Sequence, residues 1–498
     1  TCALPIYMLF MDIDCLDDFE DFTFNDSFYK DGEIDKEFFK NLVKEHVHLI
    51  PIVDAAVKVK KGYFLYEELI EGKGYTFNND KDKTPYIVGV WPGDSILPDY
   101  FSKNGQEIFG RGYKKYLDLG IDGFWNDMNE PALFYGRDNL NKFSSSLKNY
   151  NLDNLTNIEF EEIKHNINSI KNSSYDYKNM YHNYDLEYDN NTIFNHYDIH
   201  NMYGSRMVEA GSKYFDAYNK ENNLNKKYLL FSRSSMIGSH RYGGIWTGDN
   251  SSIWDHLLMN IKMMPSLNMC GYLYSGADIG GFGQEGSLDL MLRWMAFGIF
   301  TPLFRNHACN WVNRQDYHLL KKTDIVRNLL SIRYAILPYL YSEYIKAVYN
   351  NTLLFAPLGF VYKDKRSLEI EDELLFGKSI IIAPVYNQNA KGRMVYLPDD
   401  AMEVRMESGN KYKLSLLSKG DHYISCNLNE VVFFLLDKEI LPIMKIKDIN
   451  NIKNIKILNY NDFDNLEFID NGYQYDKYQI YYEDNNEVKV KVIEIKHD

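Results

Sequence analysis

The chain has 498 residues, too many for one ordinary domain, and its 45% hydrophobic and 25% charged residues are a normal globular balance. A formal net charge of −15 argues against nucleic acid as partner, because phosphate binding wants a basic face, but leaves neutral ligands such as sugars open. The five cysteines (Cys2, Cys15, Cys270, Cys309 and Cys426) form no CxxC pair, so neither a zinc ribbon nor a disulfide framework is expected, and a reducing, cytoplasmic compartment fits. No run of about 18 apolar residues predicts a membrane span. The opening TCALPIYMLFMDID has no initiator Met and no signal-peptide pattern, and it reads as the start of a fragment.

In chain order, PIYMLFMDID (5–14) predicts a strand, EFFKNLVKEH (37–46) a helix, and VHLIPIVDAAV (47–57) a second strand. GQEIFGRGYKKYLDLG (105–120) predicts a helix stopped by Gly120, just before IDGFWNDMNE. Further apolar runs follow at KYLLFSRSS (227–235), GGIWTGDN (243–250), CGYLYSGAD (270–278) and FGIFTPLFRNH (297–307), with helical stretches between most of them. This alternation implies a parallel sheet, and its repeats suggest a (β/α)8 barrel. Residues 138–200, rich in Asn, Tyr and Ser, read as an excursion from it, partly helical around FEEIKHNINSI. After about 350 the short strands GKSIIIAPVYNQ, GRMVYLP, HYISCNL and EVVFFLL predict an all-β region. The expected domains are a barrel over 1–350, a proximal β-sandwich over 351–445 and a partial distal β domain over 446–498.

Asp12, Asp14, Asp54, Asp127, Arg233, Asp249, Asp278 and His307 each follow an apolar run. A barrel gathers such strand ends on one face, where active sites form. Asp127, in FWNDMNEP, and Asp249, in IWTGDN, suit acetal cleavage, which needs one ionised carboxylate and one protonated carboxyl group. Glu130, followed by Pro131, reads as a structural hydrogen-bonder. His196 and His200, in HYDIHN, have the i,i+4 spacing of zinc ligands, but Tyr197 stands where the HExxH glutamate would be, so they read as structural histidines.

GFWNDMNEP, SRSSMIGSHRYGGIWTGDN, SGADIGGF and PLFRNH, in this order and spacing, resemble glycoside hydrolase family 31, the retaining α-glucosidases. MDIDCLDDFEDFTFN and VWPGDSILPDYF resemble the early barrel motifs, and FGKSIIIAPV the β domain after the barrel. The resemblance covers nearly the whole chain and is closest to bacterial cytosolic-type enzymes. It implies Asp127 as nucleophile and Asp249 as general acid/base. It also implies Asp12 and His307 on hydroxyls of the non-reducing glucose, and Arg233 on a sugar hydroxyl near the acid/base. Ile13, Ile52, Trp125, Met128, Trp246 and Phe282 would be pocket walls, with Trp91 and Asp278 at motif positions.

Two departures stand out. Cys15 occupies the place of an expected aromatic. The family's N-terminal β-sandwich and first barrel strand, which precede the Asp12 strand, are expected to be missing. The implied activity is exo-acting hydrolysis of terminal α-linked glucose from short oligosaccharides. It needs no cofactor or metal, and neither nucleic acid nor membrane as partner; a homo-oligomer is compatible with it. An α-xylosidase or related α-glycosidase, or a truncated non-catalytic sugar-binding protein, are the alternatives.

Overall fold

The computed structural model describes residues 7–444 apart from 80, 189–191, 313–314, 316–319, 321 and 438, and beyond them the strand backbones at 455–459, 466–468, 477–484 and 487–494. The chain divides into two units, Ile6–Ile245 and a second built around Trp246–Asp498.

The first unit is built on a parallel sheet. Its strands are β1 (Met8–Met11), β2 (His48–Asp54), β3 (Gly123–Asp127), β4 (Leu229–Ser232) and β5 (Gly244–Trp246), of which the last residue, Trp246, is counted with the second unit. They lie side by side in that order. In β2 every residue after His48 is buried, and in β3 all five are. Both faces of a parallel sheet are covered, which is why these segments are near-continuous apolar runs rather than alternating ones. Register places Asp54 beside Asp127, and Ser232 beside Asn126, so the strand-end residues align along one edge.

Helices return the chain between strands, as the sequence predicts. Lys36–Lys44 starts at Asp35, whose carboxylate accepts the Phe38 N–H at 3.0 Å, and buries Phe39. Lys103–Gly112 starts at Ser102, whose hydroxyl accepts the Gly105 N–H at 3.0 Å. Gly105 is needed there, because a Cβ would sit 2.2 Å from the Asp99 carbonyl oxygen. Gly120 takes the left-handed conformation (φ +86°) in the turn before β3.

Residues 137–200 carry more regular structure than their polar composition suggests. They contain helices Arg137–Ser146, Asn157–Ser169 and Ser174–Asn179, and an antiparallel pair, Tyr181–Asn183 with Ile193–Asn195. Thr156 and Glu159 form a reciprocal capping box at the start of the second helix.

In the second unit the run 297–307 departs from expectation. Its first residues end the helix Leu288–Gly298, and Ile299–Thr301 turn. Only then does the chain run beside the short strand Ser275–Gly276, with the Leu303 N–H donating to Ser275 O and a parallel bridge from Asp278 to Arg305. Short apolar runs do not distinguish helix from strand, and Met295–Phe297 continue the helical period begun at Leu288. The helix Thr323–Asn350 closes this part and ends at Asn351, in the left-handed conformation. A six-stranded antiparallel sheet follows, in the order 355–357, 374–376, 380–382, 431–436, 401–408 and 411–417. A second antiparallel pair joins Gly392–Leu397 to Gly420–Ser425. Most of the span 446–498 lies outside the described residues. Its strands form a ladder, Ile440–Met444 with Ile455–Asn459 and Leu466–Phe468, and a hairpin, Lys477–Asp484 with Glu487–Glu494.

Asp122, at the entrance to β3, is settled structurally. His48 Nδ1 lies 2.8 Å from its Oδ1, and Lys226 Nζ 3.3 Å from its Oδ2. The hydrogen bond to Asp122 raises His48 above its ordinary 6.5, against the effect of burial. Burial works against ionisation of Asp122, but His48 and Lys226 hold it below its ordinary 3.8. The histidine's contribution to stability is therefore complete below its unfolded pKa and is lost as pH rises through its raised folded value. The aspartate's is present above its unfolded pKa and is lost on acidification. His48→Gln is expected to lower Tm at about pH 5.5 and to have a much smaller effect at about pH 9. Equal losses at both, by calorimetry, would contradict this pairing.

Candidate active site

The first unit brings Asp127, Arg233, Met128 and Glu130 together. β3 ends at Asp127, and Met128 then takes the left-handed conformation (φ +52°). This turn lets the Met128 N–H donate back to Asp127 Oδ1 at 2.6 Å. Arg233 follows β4, and its own N–H donates to Asn126 O at 3.0 Å, which fixes its root beside Asp127. Its Nη1 lies 2.7 Å from Asp127 Oδ1. Its Nε and Nη2 donate to the two oxygens of Glu130 at 2.8 and 3.0 Å. Nη2 also lies 3.2 Å from Met128 Sδ. One planar guanidinium thus holds two carboxylates, a geometry a lysine could not supply.

The two asparagines of the motif brace the backbone around this group. Asn126 donates to the Tyr113 hydroxyl at 2.7 Å, and Asn129 donates to Ser232 Oγ and accepts the Ser234 N–H. Trp125 is buried, with its indole N–H 3.4 Å from Met11 O, and Ile52 is its register partner on β2. Asp12 caps the turn after β1, its Oδ1 accepting the Ile13 N–H at 2.7 Å; Asp12 and Ile13 are half-buried. Cys15 is buried, and burial, then the Asp12 charge, pushes its thiol up to about 12. Trp91 is 42% exposed, edge-on to Phe134 at 4.9 Å.

The second unit carries Trp246, Asp249, Asp278, Phe282 and His307. Trp246 is buried, with the Arg305 guanidinium 5.2 Å from its ring. Gly248 turns the chain in the left-handed conformation (φ +73°), and Asp249 follows it, exposed. Asn250 is buried and accepts the Phe282 and Gly283 N–H groups on its carbonyl, which ties this turn to the Phe282 loop. Asp278 is fully buried against Arg305, whose Nε and Nη2 lie 2.8 and 2.6 Å from its Oδ1. Phe282 and His307 face each other at 5.2 Å. Burial, reinforced by Arg305, lowers His307 to about 3, so its ring is neutral at ordinary pH and offers both a donor and an acceptor.

With this geometry in view, the comparisons with known proteins are decisive. The TIM-barrel domain of the glycosyl hydrolases family 31 matches residues 2–343, and the C-terminal domain of that family matches 351–434. The chain belongs to glycosyl hydrolase family 31. It is 29% identical over 452 residues to Alpha-glucosidase 2 of Bacillus thermoamyloliquefaciens, covering 89% of this chain and 50% of that protein. Neutral alpha-glucosidase AB of Homo sapiens is 28% identical over 401 residues, 79% of this chain and 37% of that one. The glucosidase II alpha subunit in its Tris-bound structure shares the fold, with TM-score 0.72 at 23% identity, over 90% of this chain and 43% of that one. The chain therefore spans half, or less, of the length of these relatives.

A family 31 reading from motifs alone passes over Asp54 and Asp21. Asp54 ends β2 in register with Asp127, and its N–H donates to Asp21 Oδ1 at 2.9 Å. Asp21 Oδ2 and Asp54 Oδ1 are buried without a hydrogen-bond partner. Burial, with the Asp21 and Asp127 charges added, drives the Asp54 carboxyl well above its ordinary value, and burial does the same for Asp21. The signal was present: Asp54 closes an apolar run as Asp127 does. A carboxyl whose pKa burial raises on folding subtracts stability as pH rises above its ordinary 3.8. Asp21→Asn keeps the acceptor for the Asp54 N–H without the proton requirement. It is expected to raise Tm more at about pH 7.5 than at about pH 4; a uniform shift would refute the protonated pair.

Proposed function

We propose that this chain is the catalytic region of an exo-acting retaining α-glucosidase that releases terminal non-reducing α-linked glucose from short oligosaccharides. The observation that carries the reading is the Arg233 guanidinium on Asp127, at the end of a parallel strand. A carboxylate held between a cation and a backbone N–H is a fixed anion, the state a nucleophile needs. Asp127 attacks the anomeric carbon while Asp249, on its exposed turn, gives its proton to the leaving oxygen as the glycosidic C–O bond breaks. Asp249 then takes a proton from water, whose oxygen displaces Asp127 and restores the α configuration. Asp12, Arg233 and His307 supply polar contacts to the sugar, with Ile13, Ile52, Trp91, Trp125, Met128, Trp246 and Phe282 as walls. Asp278 orders the loop behind them through Arg305. The names of the relatives support glucose over xylose as the sugar.

The proposed organisation is a barrel over 1–350 with the 138–200 insertion, then β domains over 351–445 and 446–498. A cytoplasmic setting is part of the same reading. Among the described residues, no helix is long and apolar enough to cross a membrane.

Asp127→Ala is expected to lower kcat by several orders of magnitude with the fold intact. Asp249→Ala is expected to cost about 10²- to 10⁴-fold on alkyl glucosides and much less on aryl glucosides with good leaving groups, which need little protonation. Equal losses on both substrate types would sink the acid/base role. Proton NMR of the first-formed sugar is expected to show the α-anomer. A β product would exclude retention, and sugar binding without turnover would favour a non-catalytic protein.

A further inference from the structure

Three histidines of the insertion form a continuous chain that ends on a buried carboxylate. Asp99, His182 and His196 are fully buried. His182 Nδ1 lies 2.8 Å from Asp99 Oδ1, His182 Nε2 lies 2.9 Å from His196 Nδ1, and His196 Nε2 lies 3.0 Å from His200 Nδ1. Asp99 also accepts the Phe101 N–H on Oδ1 and the Asn183 N–H on Oδ2. Asp99 is thereby held by two backbone amides and one imidazole, and the three rings follow from it nitrogen to nitrogen. Burial holds His196 well below its ordinary 6.5 and lowers His200 as well.

The outer end of the chain reaches the turn that carries Glu130. The His200 ring stacks on Tyr177 at 4.5 Å, and the Tyr177 hydroxyl donates to Pro131 O at 3.2 Å. The Glu130 charge acts on both His200 and Tyr177. The stack and the Tyr177–Pro131 bond thus tie the insertion to the residue that follows Glu130.

We infer that the Asp99–His182–His196–His200 chain is a positioning device: it fixes the His200 ring against Tyr177, so that the Tyr177 hydroxyl stays on Pro131 O, the turn keeps Glu130 on Arg233, and Arg233 stays on Asp127. The inference deepens the proposed function and rests on Asp127 being the nucleophile. It gives the insertion a part in catalysis without contact with substrate.

The test is a double-mutant cycle on an aryl α-glucoside. His200→Phe keeps the stack on Tyr177 but removes the hydrogen bond that anchors the ring to His196. Tyr177→Phe keeps the stack but removes the bond to Pro131. Each is expected to lower kcat by about tenfold, with KM changed by less than roughly threefold, as loss of a supporting contact does. In a Glu130→Gln background neither is expected to lower kcat further, because the link it acts through is already cut. Losses that add in that background, or that fall on KM, would overturn the inference. A second measurement needs no variant: ¹⁵N spectra of histidine-labelled wild-type protein are expected to show scalar coupling across the His182–His196 and His196–His200 N–H···N bonds. Its absence at both would remove the chain. The spectra depend on no catalytic assignment, so turnover retained by Asp127→Ala would sink the nucleophile reading alone.

Discussion

A single guanidinium shared between two carboxylates organises the C-terminal edge of the parallel sheet. Arg233 reaches Asp127 with one nitrogen and Glu130 with two others. Buried charge is costly unless it is paired and hydrogen-bonded, and here one cation satisfies two anions that stand within four residues of each other. Without it, Asp127 would face Asp54 and Asp12 as one more acid in a cluster of like charge. With it, the cluster sorts into an acid paired with a cation and two acids that burial pushes above their ordinary value.

That sorting depends on backbone register more than on side-chain identity. Asp54 and Asp127 end adjacent strands at the same level, so they are neighbours by construction. Arg233 arrives from the strand on the other side, rooted by its own N–H on Asn126 O. Asp21 closes the group from below by accepting the Asp54 N–H. The result is one acid held by a cation, beside two whose carboxyls burial pushes above their ordinary value. This is the pattern by which one fold runs different carboxyl chemistries side by side.

The insertion supports the same edge from outside. Its polar composition hides a buried line of imidazoles that begins at Asp99, just before the helix Lys103–Gly112, and ends against Tyr177. The i,i+4 spacing of His196 and His200 suggests metal ligands on a helix; in the structure their ring nitrogens face each other at 3.0 Å. The third member, His182, has no periodic relation to them and comes from the antiparallel pair, so spacing could not reveal the chain.

Much of the fold was legible. The apolar runs at 47–57 and 121–127, the helix that begins at Lys103 and the short strands after 350 follow from local pattern, because burial on one or both faces imposes a period or a run; the predicted helix to Gly120 breaks at Tyr113 and resumes only as Lys114–Leu117. The motifs around Asp127 and Asp249 carried the family as well. The 297–307 run misled because apolar residues alone do not separate a helix end from a strand. What sequence by itself determined is which residues stand at strand ends and what chemistry they can carry. What only the tertiary structure decided is which of them touch. Arg233 and Glu130 lie 103 residues apart, and His48 and Asp122 lie 74 apart. Such pairs are set by the register of parallel strands joined through long crossovers, and no local pattern encodes that register.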